Sequence, residues 1–154
     1  MTASWPLGSI LFLSQQFGGQ RGIFGRAWLF LGQESQLRQP GDFVQAYMCE
    51  TPIILSRGQD RRLYACIDSC SHRGLPVCRA DHGNTKRFIC PYHNWSYSVE
   101  GELVAIPQEN AVRNKPDKSR LGLKRVPRLE TWRGLVFGSF DPDIMPLEEY
   151  LGDM

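Results

Sequence analysis

Two short segments, each with one cysteine and one histidine, constrain this chain of 154 residues more than any other feature. In the first segment Cys70 precedes His72 by two residues, and in the second Cys90 precedes His93 by three. Seventeen residues separate the segments, so the pattern is C-x-H, a spacer and C-x-x-H. Thiolates and imidazoles both bind transition metals, and both segments fall between predicted strands. The sequence therefore predicts two loops that bind a metal centre together.

The mixture of ligand types in each segment separates two kinds of metal centre. A [2Fe–2S] cluster with two cysteines on one iron and two histidines on the other takes one of each from two loops. Structural zinc also uses two cysteines and two histidines, but zinc fingers place the cysteines in one half and the histidines in the other. We therefore expect an iron–sulfur cluster, with a structural zinc module as the alternative. The expected metal ligands are Cys70, His72, Cys90 and His93.

The remaining histidine and cysteines have no partner at ligand spacing. His82 lies in a turn-like stretch, residues 80–84, and is expected to be an ordinary surface residue. Cys49, Cys66 and Cys78 are expected to be small buried hydrophobic residues. Five cysteines, an odd number, in a chain with no export signal indicate a reducing compartment, so no disulfide between Cys66 and Cys78 is expected.

Short apolar stretches separated by turns predict a mainly β fold, an antiparallel β-sandwich. Residues 22–31 predict a short helix that runs into a buried strand, and residues 146–151 predict a second short helix. Glu100-Gly101 predicts a tight hairpin, and residues 108–120 predict a surface loop. The predicted strands cover residues 43–49, 52–56, 62–67, 86–90, 95–99, 102–106, 123–130 and 135–140.

Charge and hydropathy argue against several classes of partner. Eighteen Lys and Arg against 16 Asp and Glu leave a net charge of +2, too small a surplus for a dedicated nucleic-acid-binding protein. The uncharged stretch of residues 5–20 contains Pro6, Gly8 and three glutamines and therefore does not predict a membrane span. No Lys or Arg precedes its short apolar part, which makes it a poor signal peptide. We therefore expect a cytoplasmic protein without nucleic-acid or membrane partners.

Written together, the two segments read C-x-H…C-P-Y-H-x-W and resemble the Rieske iron–sulfur motif in the large (alpha) subunits of aromatic-ring-hydroxylating dioxygenases. The resemblance covers roughly residues 22–152 and is specific to the oxygenase branch of Rieske proteins. It implies the Rieske fold, with a two-loop cluster-binding subdomain, and a Rieske-type [2Fe–2S] cofactor. The other matching segments are residues 23–28 (IFGRAW), 40–43 (PGDF), 71–74 (SHRG), 134–137 (GLVF) and 147–152 (LEEYLG).

The resemblance also implies a function, one-electron transfer as the relay domain in the N-terminal part of such a subunit. The electron donor would be a ferredoxin or reductase, and the acceptor a mononuclear iron in a catalytic domain. That iron needs two histidines and a carboxylate, and with only His82 unassigned this chain cannot supply them. We therefore expect no catalytic residues here. The alternative is a free-standing Rieske-type ferredoxin that serves another oxygenase.

The expected organisation follows from the same resemblance. Residues 1–37 would form an N-terminal segment with a short helix leading into the first strand, and residues 38–141 the Rieske domain. Residues 142–154 would be a stub of the linker to an absent catalytic domain. The trimers of the family imply a homotrimer in the full-length context.

Residues beside the ligands are expected to modulate the cluster. Arg73, Tyr92 and Trp95 would pack around it and exclude water. In the respiratory branch of the family, a disulfide joins the two loops and a serine donates to a cluster sulfur; the matching positions here hold Leu75, Tyr92 and Trp95. Fewer hydrogen bonds to sulfur predict a low reduction potential, on the order of −150 mV. Asn94 stands where the family usually has Gly, and Asn is the next most tolerant residue of a positive φ.

Overall fold

Antiparallel β-strands dominate residues 24–109 and 116–152, the parts of the chain that the computed structural model describes. The strands form three sheets in which all neighbouring strands are antiparallel, which confirms the mainly β, antiparallel prediction. In chain order they are β1 (Leu29–Gln33), β2 (Asp42–Met48), β3 (Thr51–Arg57), β4 (Leu63–Ile67), β5 (His82–Asn84), β6 (Arg87–Ile89), β7 (Ser96–Ser98), β8 (Leu103–Ala105), β9 (Arg128–Trp132) and β10 (Leu135–Ser139).

The first sheet, ordered β1-β10-β9, brings the two ends of the described chain together. A 3-10 turn, Phe24–Arg26, leads into β1, as predicted for residues 22–31, of which residues 22 and 23 lie outside the described residues. The strand is only partly buried, because Phe30 is 52% exposed, so the prediction of a buried strand is wrong in this respect. The predicted start of β9 at residue 123 is wrong, because the strand begins at Arg128. Pro127 has no N–H to donate, and before it Arg125 forms only an isolated bridge with Cys66.

The central sheet, ordered β4-β3-β2-β5, contains the strands predicted within residues 43–67. Its middle strand β3 lies in the core, where Ile53, Ile54 and Leu55 are at most 1% exposed. A two-residue turn joins β2 to β3, and in it Cys49 has a φ of 56°. Cys49 is exposed, so the expectation that it is buried is wrong. A turn this short projects beyond the sheet, where no second layer covers it.

The short strand β5 is not predicted by the sequence. His82 pairs with Val44 on the edge of the central sheet, although residues 80–84 read as a turn. Gly83 and Asn84 disfavour strands, so β5 depends on the open edge that β2 offers rather than on its own propensity. His82 is exposed, as expected of a surface residue.

The third sheet, ordered β6-β7-β8, contains the strands predicted within residues 86–106. The predicted hairpin at Glu100-Gly101 is present, and Gly101 has a φ of 89° that favours glycine. Of the predicted surface loop 108–120, residues 110–115 lie outside the described residues, and Lys118–Arg120 form a 3-10 turn.

Buried clusters of apolar side chains connect the sheets. The first sheet packs on the central sheet through Leu31, Met48, Leu55 and Val136, which gives the predicted sandwich. A second cluster contains residues of the central and third sheets, among them Phe43 and Phe88, whose rings meet edge to face.

Cys66 and Cys78 are buried in this second cluster and are free thiols, as expected. Burial raises the pKa of Cys66 to about 11, which keeps the thiol protonated at neutral pH.

The end of the described chain is fixed to the first sheet. Helix α1 (Leu147–Leu151) agrees with the helix predicted for residues 146–151. Leu147 and Ile144 pack on Trp28, and the Trp28 indole N–H donates to the Met145 carbonyl. None of the helices in the described ranges is long and apolar enough to span a membrane.

Candidate metal centre

The two ligand loops share one backbone arrangement. In the first loop, residues 69–76, the Gly74 N–H donates to the Cys70 carbonyl at 2.7 Å, and the Cys70 N–H to the Leu75 carbonyl at 2.8 Å. In the second loop, residues 90–95, the Asn94 N–H donates to the Cys90 carbonyl at 2.9 Å, and the Cys90 N–H to the Trp95 carbonyl at 2.8 Å. Each ligand cysteine therefore begins the same kind of tight turn.

Gly74 and Asn94 occupy equivalent places in these turns, four residues after the cysteine. Their φ angles are 76° and 56°, so both lie in the left-handed region. Asn tolerates this region better than other residues with a side chain. The expectation of a positive φ at Asn94 is confirmed.

The four predicted ligands converge as two like pairs. Cys70 and Cys90 are each 2% exposed, and the neighbouring Cys90 thiol helps to raise the pKa of Cys70. The imidazoles of His72 and His93 are half-buried, with ring centroids 4.5 Å apart and planes at 67°. The structure thus places the predicted ligands as two like pairs, thiol beside thiol and imidazole beside imidazole.

The imidazole pair contains two nitrogen atoms that lack a partner. Nδ1 of His72 and Nδ1 of His93 are buried, and neither makes a hydrogen bond within the described structure. A buried polar atom without a partner is costly, and a bound ion is one explanation for it. Together with the two thiols, these atoms make a donor set that fits a [2Fe–2S] cluster ligated by thiolates on one iron and imidazoles on the other.

The arrangement of the four predicted ligands as two pairs also bears on the alternative, a site for a single metal ion. Within residues 24–109 and 116–152, no group of three or more His, Cys, Asp or Glu side chains is arranged to hold a metal ion. Each pair supplies two donors, the number that each iron of such a cluster takes from the protein. A tetrahedral zinc ion would instead require all four donors around one point.

The protonation of the two pairs responds to burial. Burial lowers the pKa of His72, and the nearby His93 and Arg73 lower it further, so the ring is held neutral, the form that binds metal. Burial raises the pKa of Cys70, although hydrogen bonds from the Tyr97 hydroxyl and the backbone N–H of His72 lower it. Metal coordination deprotonates a thiol outright and would overcome the remaining shift.

Aromatic side chains lie against the imidazoles. Trp95 stacks on His72, with ring centroids 4.8 Å apart and planes at 11°. The Tyr92 ring lies against the His93 ring, with centroids 3.9 Å apart, and Tyr92 is 56% exposed. Arg73 reaches across from the first loop, with its guanidinium carbon 5.7 Å from the Tyr92 ring centroid. All three residues predicted to surround the centre are therefore beside it, Trp95 half-buried and the other two exposed.

Sequence reasoning missed two buried polar residues behind the loops. The Tyr97 hydroxyl lies 3.1 Å from Cys70 Sγ and accepts a hydrogen bond from the Ser71 N–H at 3.1 Å. The Asp68 carboxylate is 1% exposed and accepts hydrogen bonds from the N–H groups of Val77 and Cys78. The alternation of the strand predicted for residues 95–99 was a usable signal, since it places Tyr97 on the same face as Trp95.

Comparison with known proteins identifies the type of domain. The family model of the Rieske [2Fe-2S] domain matches residues 27–118. Benzene 1,2-dioxygenase subunit alpha of Pseudomonas putida is 42% identical over 134 residues, which cover 85% of this chain and 29% of the relative. The large oxygenase component of a 2,4-dinitrotoluene dioxygenase system of Burkholderia sp. is 43% identical, with 86% of this chain and 30% of the relative covered.

Solved structures agree with these relatives. Naphthalene 1,2-dioxygenase from Rhodococcus sp., bound to indole, superposes with a TM-score of 0.83 at 44% identity, covering 86% of this chain and 30% of that one. The chain thus spans less than a third of the length of these similar proteins. The Rieske fold and the resemblance to dioxygenase alpha subunits are confirmed.

Proposed function

The chain belongs to the Rieske [2Fe–2S] domain family, and on this premise we propose that it relays single electrons through a cluster bound by the two loops. Members of the family bind a [2Fe–2S] cluster. The observation that supports the proposal most directly is the pair of buried, unpartnered Nδ1 atoms on two neighbouring imidazoles, in loops that also carry two buried thiols. The proposed ligands are Cys70 and Cys90 on one iron and His72 and His93 on the other.

The side chains around the site divide the work of holding and shielding this centre. When bound, the cluster supplies a one-electron redox couple. The thiol side is closed by the core, where Tyr97 is fully buried. The imidazoles are only half-buried, so their side of the site lies nearest the surface and is where an electron would enter or leave. Trp95 and Tyr92 restrict water at this side by covering one imidazole each.

We further propose that the domain works as the electron relay of a ring-hydroxylating dioxygenase alpha subunit. The names of the similar proteins and the share of their length that the chain spans support this. The donor would be a ferredoxin or reductase, the acceptor a mononuclear iron in a catalytic domain, and the location cytoplasmic. No catalytic residue is assigned to this chain.

The proposed organisation keeps residues 1–37 as a leading segment, 38–141 as the Rieske domain and 142–154 as the link towards a catalytic domain. Ile144 and Leu147 are buried against Trp28. Such a link would therefore leave from a fixed point on the domain surface.

Reconstitution with iron and sulfide under anaerobic conditions tests the proposed site. We expect two irons and two sulfides per chain and an EPR signal that appears on one-electron reduction. Cys70→Ser and His93→Ala should abolish binding of the cluster. Cys78→Ala and His82→Ala are the matched controls and should retain it, since neither residue is a proposed ligand. Uptake of one zinc per chain without sulfide would contradict the proposal and support the structural zinc alternative.

A further inference from the structure

We propose that Asp68 is a positioning residue, which holds the first ligand loop in the shape that the cluster requires; this inference rests on the proposed function. Asp68 lies directly after β4 and is 1% exposed. Its Oδ1 accepts hydrogen bonds from the Val77 N–H at 2.6 Å and the Cys78 N–H at 3.0 Å. The carboxylate therefore joins the two ends of the loop that contains Cys70 and His72.

The two ligand loops differ in how their bases are closed. The second loop lies between β6 and β7, which pair with each other up to Ile89 and Ser96, so strand hydrogen bonds close its base. The first loop is entered from β4, but residues 77–81, which follow it, belong to no strand. The returning chain pairs with β2 only from His82, as β5, so between the loop and β5 the Asp68 carboxylate supplies the acceptor that a paired strand would provide.

The acceptor is itself fixed to the central sheet. The Asp68 N–H donates to the Pro52 carbonyl on β3 at 2.9 Å. The Gln45 amide on β2 donates to Oδ2 at 3.4 Å. The carboxylate thus connects the returning end of the loop to two neighbouring strands. Without it, hydrogen bonds to the central sheet would hold the returning chain only from Asp81 onward, and the position of the His72 ring would spread.

The chemistry of the contact predicts which substitutions matter. The Asp68 carboxylate is the acceptor for two N–H groups, and removing a buried acceptor is costly because both donors are left without a partner. Asp68→Ala removes the acceptor altogether. Asp68→Asn retains one oxygen for the two N–H groups, and its amide nitrogen can donate to Gln45 once the Gln45 amide has flipped. The asparagine variant should therefore keep the loop in place.

Release of the cluster to a chelator from the reconstituted protein tests the inference. We expect Asp68→Ala to lose the cluster about tenfold faster than the wild type and to broaden its reduced EPR spectrum. Asp68→Asn should stay within about twofold of the wild-type rate. Asp60→Ala is the matched control, because Asp60 also accepts from a backbone N–H, that of Arg62, but in the turn between β3 and β4. Equal rates for the Asp68→Ala and Asp60→Ala proteins, or a fast rate for Asp68→Asn, would overturn the inference.

Hydrogen exchange of the unmodified chain provides a test that does not depend on a variant folding. We expect the amides of Val77 and Cys78 to exchange as slowly as those of β3, although they lie in no strand. Exchange as fast as that of the exposed loop tip at Arg73 would overturn the inference. Failure of the wild-type chain to take up a cluster would refute the proposed function instead, and the exchange of these two amides would still decide the role of Asp68.

Discussion

Removal of the Tyr97 hydroxyl should lower the reduction potential of the reconstituted protein. The hydroxyl lies 3.1 Å from Cys70 Sγ, and Tyr97 is fully buried, so no water replaces it in Tyr97→Phe. A metal-bound thiolate has no proton, so the hydroxyl must be the donor. The hydrogen bond stabilises negative charge on sulfur, and this charge increases when the cluster is reduced.

The size of the shift follows from the change in this hydrogen bond on reduction. A hydrogen bond to a charged group contributes about 1.5–3 kcal/mol, but most of this is present in both redox states. If about 1 kcal/mol of it appears only on reduction, the potential falls by about 40 mV, because 59 mV corresponds to a tenfold change for one electron. The Ser71 N–H also loses its acceptor, so the free energy of unfolding should fall by about 1–2 kcal/mol.

Potentiometric titration followed by EPR measures the shift directly. Tyr47→Phe provides the control, because Tyr47 is 59% exposed on β2 and should leave the potential unchanged. An unchanged or higher potential in Tyr97→Phe, with the cluster fully occupied, would refute the reasoning. In that case the short contact would be a packing feature without influence on the redox couple.

Three further predictions concern the body of the domain. Iodoacetamide at pH about 8 should label exposed Cys49 but not Cys66, whose pKa burial raises to about 11, as peptide mass spectrometry would show. Gly101→Ala should lower the free energy of unfolding by about 2–4 kcal/mol in denaturant titrations, because φ is 89° and the new Cβ would lie 2.6 Å from Cys66 Sγ. Gly25→Ala should be nearly neutral, because its new Cβ would meet nothing within 4 Å. Burial raises the pKa of Glu130, but hydrogen bonds from the first N–H of α1 and from the neighbouring Arg128 lower it more, so the pKa of Glu130 lies below its ordinary value of 4.5. Above pH 4.5 the wild type should therefore melt at a higher temperature than Glu130→Gln. This difference in melting temperature should disappear as the pH falls through the lowered pKa of Glu130 in the folded protein.

The positions of the strands along the chain are predictable, because short-range patterns determine them. Alternation and turn residues identify nine of the ten strands in the described ranges, including the hairpin at Gly101. The missed strand and the wrong strand start both depend on neighbouring residues or segments that a local pattern does not contain. β5 forms on the open edge of β2, and β9 begins only after Pro127. The exposure of Cys49 likewise depends on the length of the turn between β2 and β3, which register determines.

The proposed ligand residues can be picked out for a different reason, since metal chemistry restricts both residue type and spacing. The equivalence of Gly74 and Asn94 follows from the repeated turn, which the matched spacing of the loops already indicated. Tyr97 and Asp68 are not predictable in this way. Each contacts the first loop through a hydrogen bond to a residue that is not its neighbour in sequence. Only the positions of β4 and β7 in the folded chain bring the two groups of each bond together.

Tyr97 also changes the basis of the low potential expected from Trp95. The sequence has no hydrogen-bond donor to sulfur at position 95, where Trp95 instead stacks on His72. The structure supplies a donor two residues later, on the thiol side of the centre. The two influences therefore act on different halves of the site, because Tyr97 contacts the thiol pair and Trp95 contacts an imidazole. A potential near −150 mV consequently depends on how far this single donor offsets the missing one, which makes the Tyr97 hydroxyl the most informative group to remove.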